Sequence, residues 1–222
     1  MRTVFAPGCA MTLYKPEAIE KLLAIVTEEM GQVDLHQICC HHQPGYSQET
    51  LIINTCPGCD KRFRELYDNV ITLSLWELLA KSQKFPFPDY HGYPMTILDA
   101  CPTRQRDNIH IAIRTLLAKM NINLVEPEHT KQHSRCCGDS YFGVHPISHV
   151  KEQMLERASA MPVDDVVVYC VSCCVSMHIG GKTPRYLIDL LLGEETVLKT
   201  VDPEEWHKML DDFISRGDCK TI

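Results

Sequence analysis

Apolar residues along the chain fall into short β-branched runs separated by longer stretches of helical period. The runs at residues 2–6, 50–55, 95–100, 121–125 and 165–169 are continuous rather than alternating. That pattern suits strands buried on both faces of a parallel sheet. Between them, KPEAIEKLLAIVTEEMG has Pro16 near its start and Gly31 past its end, and stretches near 104–120 and 149–161 share its period. All three are predicted helices, and a last one is predicted over 203–215 with Asp202 as its cap. Alternation of strand and helix predicts an α/β fold of two pseudo-symmetric βαβ-type halves with parallel sheets. The proline-bearing stretch KFPFPDYHGYP, residues 84–94, divides them.

The same pattern excludes several classes. The longest apolar runs, near 166–171 and 187–192, fall far short of the roughly 18 residues a spanning helix needs, so no membrane insertion is expected. MRTVFAPGC offers too few apolar residues before Pro7 for a secretory segment, which points to the cytoplasm. Lys and Arg total 22 against 29 Asp and Glu, a net charge of −7. With no basic run, nucleic acid is not an expected partner.

Twelve cysteines in a reducing compartment call for metal or redox chemistry rather than disulfides. Their order is repeated. The first half reads Cys9, the pair Cys39–Cys40, then CPGC from Cys56 to Cys59; the second reads Cys101, the pair Cys136–Cys137, then CVSC from Cys170 to Cys173. The flanks repeat too: TVFAPGC matches MTILDAC, TLIINTC matches DDVVVYC, and LSLWELLA matches PRYLIDLLLG. This is a duplication. Each lone Cys and each CxxC follows a predicted strand, and ligands gather beyond the carboxyl ends of strands in open α/β sheets. A helix starting after CxxC would turn its N–H groups on those sulfurs. Two adjacent thiols can both reach a multinuclear centre, whereas a single tetrahedral ion needs only four donors in all.

The set Cys101, Cys136-Cys137-Gly138, Cys170 and Cys173 resembles the cysteine-rich CCG domain that occurs twice in heterodisulfide reductase and is found in related iron–sulfur proteins. The resemblance divides the chain into a first, shortened CCHH module at 1–83, a second CCG module at 95–195, and a C-terminal helix and tail at 196–222. It implies one or two non-cubane [4Fe–4S] clusters, each held by five cysteines: Cys101, Cys136, Cys137, Cys170 and Cys173, and Cys9, Cys39, Cys40, Cys56 and Cys59. It also implies a disulfide-reductase or electron-transfer role, with a small disulfide as a possible substrate. No G-x-G-x-x-G follows a strand and no ferredoxin-type cysteine run is present. Electrons are therefore expected from a partner subunit carrying flavin or ferredoxin-type iron–sulfur clusters.

The first half departs from the pattern. Cys40 runs into His41 and His42 instead of glycine, and 15 residues separate Cys40 from Cys56 against 32 between Cys137 and Cys170. The missing length is about one helix, which predicts a first set more open to water than the second. His41 and His42 are candidate substitute ligands or proton donors, or solvated loop residues. Cys174 is expected beside the second set, and Cys219 in the tail. Asp139, Arg104 and Arg135 are candidates to tune the second set, or plain surface charges. Two other functions fit parts of the pattern: a metal-free thiol–disulfide oxidoreductase working through CPGC and CVSC, and a zinc-stabilised binding or scaffold module.

Overall fold

The computed structural model of the chain describes residues 1–216. They form two compact units, one of Met1–Phe85 with the segment from His207 onward, the other of Pro86–Trp206. The first unit runs β1 (Arg2–Ala6), α1 (Cys9–Tyr14), α2 (Glu17–Met30), β2 (Asp34–Leu35), β3 (Thr50–Asn54), α3 (Pro57–Leu66), β4 (Val70–Ser74) and α4 (Leu75–Lys81). Its four strands are all parallel in the order β2-β1-β3-β4. Every residue of β3 is buried, as expected for an interior strand covered on both faces. Strand β1 pairs with it from Arg2↔Thr50 to Ala6↔Asn54.

The second unit repeats the plan with β5 (Pro94–Leu98), α5 (Asp107–Lys119), β6 (Asn123–Leu124), α6 (Ile147–Ser159), β7 (Asp165–Val168), α7 (Val171–Ile179), β8 (Thr183–Tyr186) and α8 (Leu187–Leu192). Its parallel order is β6-β5-β7-β8. The α/β class and the two parallel βαβ halves are as the periodicity predicts. Helix α6 is the element with no counterpart between Cys40 and Cys56, and it accounts for the difference in spacing.

The strands absent from the sequence reading are β2, β4 and β8. Each lies at a sheet edge. There one side of the ladder is unpaired, so Pro184 and Arg185 are tolerated in β8. The last helix, α9 (Pro203–Ser215), has its predicted cap: Asp202 Oδ1 accepts from the N–H groups of Glu204 at 2.8 Å and Glu205 at 3.2 Å.

This topology positions the cysteines. The chain leaves β1 for β2 on one side and β3 for β4 on the other, so the loops after these adjacent strands diverge and open a crevice. Cys9 and Cys56 follow β1 and β3, and Cys101 and Cys170 follow β5 and β7 at the equivalent point.

Candidate functional site

In the first unit five sulfurs form one hydrogen-bonded line. Cys9 and Cys40 each donate to Cys39, and Cys59 faces both Cys40 and Cys56. Donating to Cys39 pushes the Cys9 thiol far up and Cys40 up to about 12, while accepting from both holds Cys39 well below the ordinary thiol range. Cys56 is the N-cap of α3. Its thiol is brought down to about 7, chiefly by Cys59 and against burial. The helix thus begins inside CxxC rather than after it, placing Cys59 in the first turn. Gly8 permits the approach of Cys9: its φ is 81°, and a Cβ there would stand 3.2 Å from Cys59 Sγ.

The second unit repeats this line atom for atom in role. Cys101 and Cys137 donate to Cys136, and Cys173 faces both Cys137 and Cys170, the N-cap of α7. Cys101, Cys137 and Cys173 are pushed up by the hydrogen bonds they donate, and Cys136 is pulled down by those it accepts, including one from Ser140 Oγ at 2.9 Å. The ten predicted thiols are thus brought together in two sets of five. Among the described residues, no three or more His, Cys, Asp or Glu side chains stand at the spacing of a single bound ion. Cys174 is buried beside the second set but outside its line, donating to the Cys170 carbonyl at 3.7 Å. Cys219 lies outside the described residues.

A buried carboxylate absent from the sequence reading holds the second set. Asp99, with its side chain 0% exposed, accepts two bonds from Arg114 at 2.8 and 2.7 Å, and others from Thr130, the Lys131 N–H and the Tyr169 hydroxyl. Its own carbonyl accepts from Ser134 Oγ at 2.6 Å, and the Tyr169 hydroxyl accepts from the Ala100 N–H at 2.9 Å. Asp99, Ser134 and Tyr169 immediately precede the segments carrying Cys101, Cys136 and Cys170, so all three loops are tied to one point. Arg114 holds the Asp99 carboxyl down to about 2 against the upward push of burial. Pro7, which has no side-chain acceptor, occupies the equivalent place before Cys9.

Arg157 of α6 was also missed. It is 4% exposed; burial weighs against its charge, and Cys173 and Cys137 lie within electrostatic reach of it. Its Nη2 reaches the His129 carbonyl at 2.9 Å, but its Nε and Nη1 have no hydrogen-bond partner. A buried, half-satisfied guanidinium beside sulfurs demands an anion. The signal was present in the sequence, for Val150, Met154, Arg157 and Ala158 share one buried stripe of α6. Of the charges singled out earlier, Arg104 holds the Ser134 carbonyl at 2.7 Å, Arg135 pairs on the surface with Glu156 at 3.7 Å, and Asp139 acts on Cys137 by its charge.

The expectation that the first set lies open to water is overturned. Cys39, Cys40 and Cys59 are 2%, 5% and 3% exposed, and their buried cluster with Val4, Ala6, Ile52 and Phe63 is flanked by Phe213 and Ile214 of α9. The end of α9 thus covers the first set, as α6 covers the second. His42 is engaged in this contact, its Nε2 donating to the Ile214 carbonyl at 2.9 Å. His41 is exposed, and its backbone N–H bonds to Cys39.

Fold and site together define an α/β protein of two parallel sheets with a five-sulfur set at each topological switch point. The chain matches no family model and no curated protein. Among solved structures, an aspartate racemase of Picrophilus torridus is similar over 95% of this chain and 100% of its own, at 16% identity and a TM-score of 0.34. Among the described residues no helix is long and apolar enough to cross a membrane.

Proposed function

We propose that this chain is a cytoplasmic iron–sulfur redox protein of the CCG-domain kind, acting as a disulfide-reductase or electron-transfer subunit. The observation that carries the reading is the recurrence of one five-sulfur arrangement at both switch points. The donor set fits a non-cubane [4Fe–4S] cluster: all ligands are sulfur, five per set exceeds the four a zinc ion takes, and Arg157 supplies a buried positive charge opposite an anionic thiolate assembly. Cys101, Cys136, Cys137, Cys170 and Cys173 would hold one cluster, and Cys9, Cys39, Cys40, Cys56 and Cys59 a second. Such a group supplies electron transfer next to sulfur when bound.

The chain's own residues do the rest. Asp99 fixes three of the sulfur-bearing loops, and α6 and the end of α9 exclude water. Reducing a disulfide takes two electrons and two protons, and the electrons must come from a partner bearing flavin or ferredoxin-type clusters. Protein purified without oxygen should be brown and give an electron paramagnetic resonance signal on oxidation.

One observation favours a second reading. Cys56 stands at the N-cap of α3 with Cys59 in the first turn, the helix-start C-x-x-C arrangement that favours a reactive thiolate in dithiol oxidoreductases. That reading requires colourless protein whose CPGC cycles reversibly between dithiol and disulfide.

A further inference from the structure

Among the described residues, Arg157 is the only buried lysine or arginine. It lies on the face of α6 turned to the segment that carries Cys136 and Cys137. Met154, one turn earlier, leaves no room for a Cβ on Gly138, and Arg157 Nη2 is shared between the His129 carbonyl at 2.9 Å and Ser134 Oγ at 3.5 Å. A guanidinium keeps its proton inside a protein, so this position holds a fixed positive charge. Its Nε and Nη1 have no hydrogen-bond partner. Asp99 is within electrostatic reach but is already bound through both oxygens to Arg114. The remaining anions this charge can face are the sulfurs of Cys137 and Cys173.

The first set has a different electrostatic setting. Its buried neighbours are Val4, Ala6, Ile52 and Phe63, with Phe213 and Ile214 packed against them. Those two residues end α9, so the first set meets the C-terminal end of a 13-residue helix, where the dipole is negative. On α3, Arg64 is paired with Asp60 at 3.0 Å and Arg62 is half-buried, and His41 is exposed; water weakens the field of charges so placed. An added electron makes a thiolate-bound cluster more negative. In a low-dielectric interior a fixed cation favours that electron-rich state, and a negative dipole end disfavours it.

We propose that Arg157 makes the second set the easier of the two to reduce, so that electrons supplied by a partner with flavin or ferredoxin-type clusters come to rest there. This role rests on the iron–sulfur reading of both sets.

The test is the midpoint potential of each set alone, read from absorbance and electron paramagnetic resonance at a series of fixed potentials, in full-length protein purified without oxygen. Cys39→Ser with Cys40→Ser leaves the second set, and Cys136→Ser with Cys137→Ser leaves the first. The second midpoint is expected above the first by about a tenfold change in the ratio of reduced to oxidised form, about 59 mV for one electron. Adding Arg157→Met should lower the second midpoint by about tenfold in that ratio and leave the first unmoved, while Arg157→Lys, which keeps the charge, should return most of the loss. Equal midpoints in the two proteins, a second midpoint unmoved by Arg157→Met, or Arg157→Lys behaving like Arg157→Met would overturn the proposal. The comparison of the two sets leaves Arg157 in place, so it decides even where Arg157→Met fails to fold. Absence of iron from both proteins would overturn the iron–sulfur reading and this role with it, whereas iron-bearing proteins with equal midpoints would overturn the role of Arg157 alone.

Discussion

Gly138 has φ 106°, and a Cβ there would stand 2.7 Å from Met154 Cγ and 2.8 Å from its backbone N. The second clash cannot be relieved by rotating a side chain. Gly138→Ala should therefore destabilise by about 2–4 kcal/mol, strain and overpacking combined, and speed alkylation of Cys136 and Cys137; an unchanged urea midpoint would contradict this. Asp99→Asn should cost about 3 kcal/mol by leaving Arg114 without its buried partner, and should raise the labelling of Cys101, Cys136 and Cys170 while sparing the first set. His36 gives a pH dependence. Burial lowers it from 6.5 to about 4, so its neutral form is the folded one. The associated stability, on the order of 3 kcal/mol, is full above 6.5 and is lost as pH falls towards 4. Denaturant unfolding at a series of pH values should show this loss, and His36→Gln should flatten it. The cysteines were legible in the sequence because their order repeats. Asp99 was not, for a lone carboxylate ending an apolar run announces no partners.

At the scale of elements, the two sulfur sets are covered by helices from different places in the chain. The sequence shows that the first half lacks a helix, but the cover supplied by α9 is a contact between segments far apart in sequence, which no local pattern encodes. Interior strands could be read because burial on both faces leaves a continuous apolar run. Of the edge strands only β6 was read, from the run at 121–125; β2, β4 and β8 were not, because half their surroundings are solvent. Changing Phe213→Ala with Ile214→Ala removes apolar contact from the first set and should cost about 2–4 kcal/mol. Cys39, Cys40 and Cys59 should then be alkylated faster, with the second set unchanged. Equal acceleration in both sets would mean general loosening and would contradict the assignment of α9 as the cover.

At the scale of the whole molecule, a duplicated βαβ plan carries the same sulfur arrangement twice, and the halves differ in how it is supported. The second has the Asp99 hub, Gly138 and Arg157; the first has Gly8 and the end of α9. The second set is therefore expected to be the principal site for iron. The most direct measurement is iron and acid-labile sulfide per chain after purification without oxygen, in the parent and in Cys136→Ser with Cys137→Ser. The parent should hold the two in near-equal amounts, at about four irons per occupied set, and the double variant should lose most of both. Stoichiometric zinc with no iron in the parent, or a double variant that keeps the parent's full iron, would contradict the account.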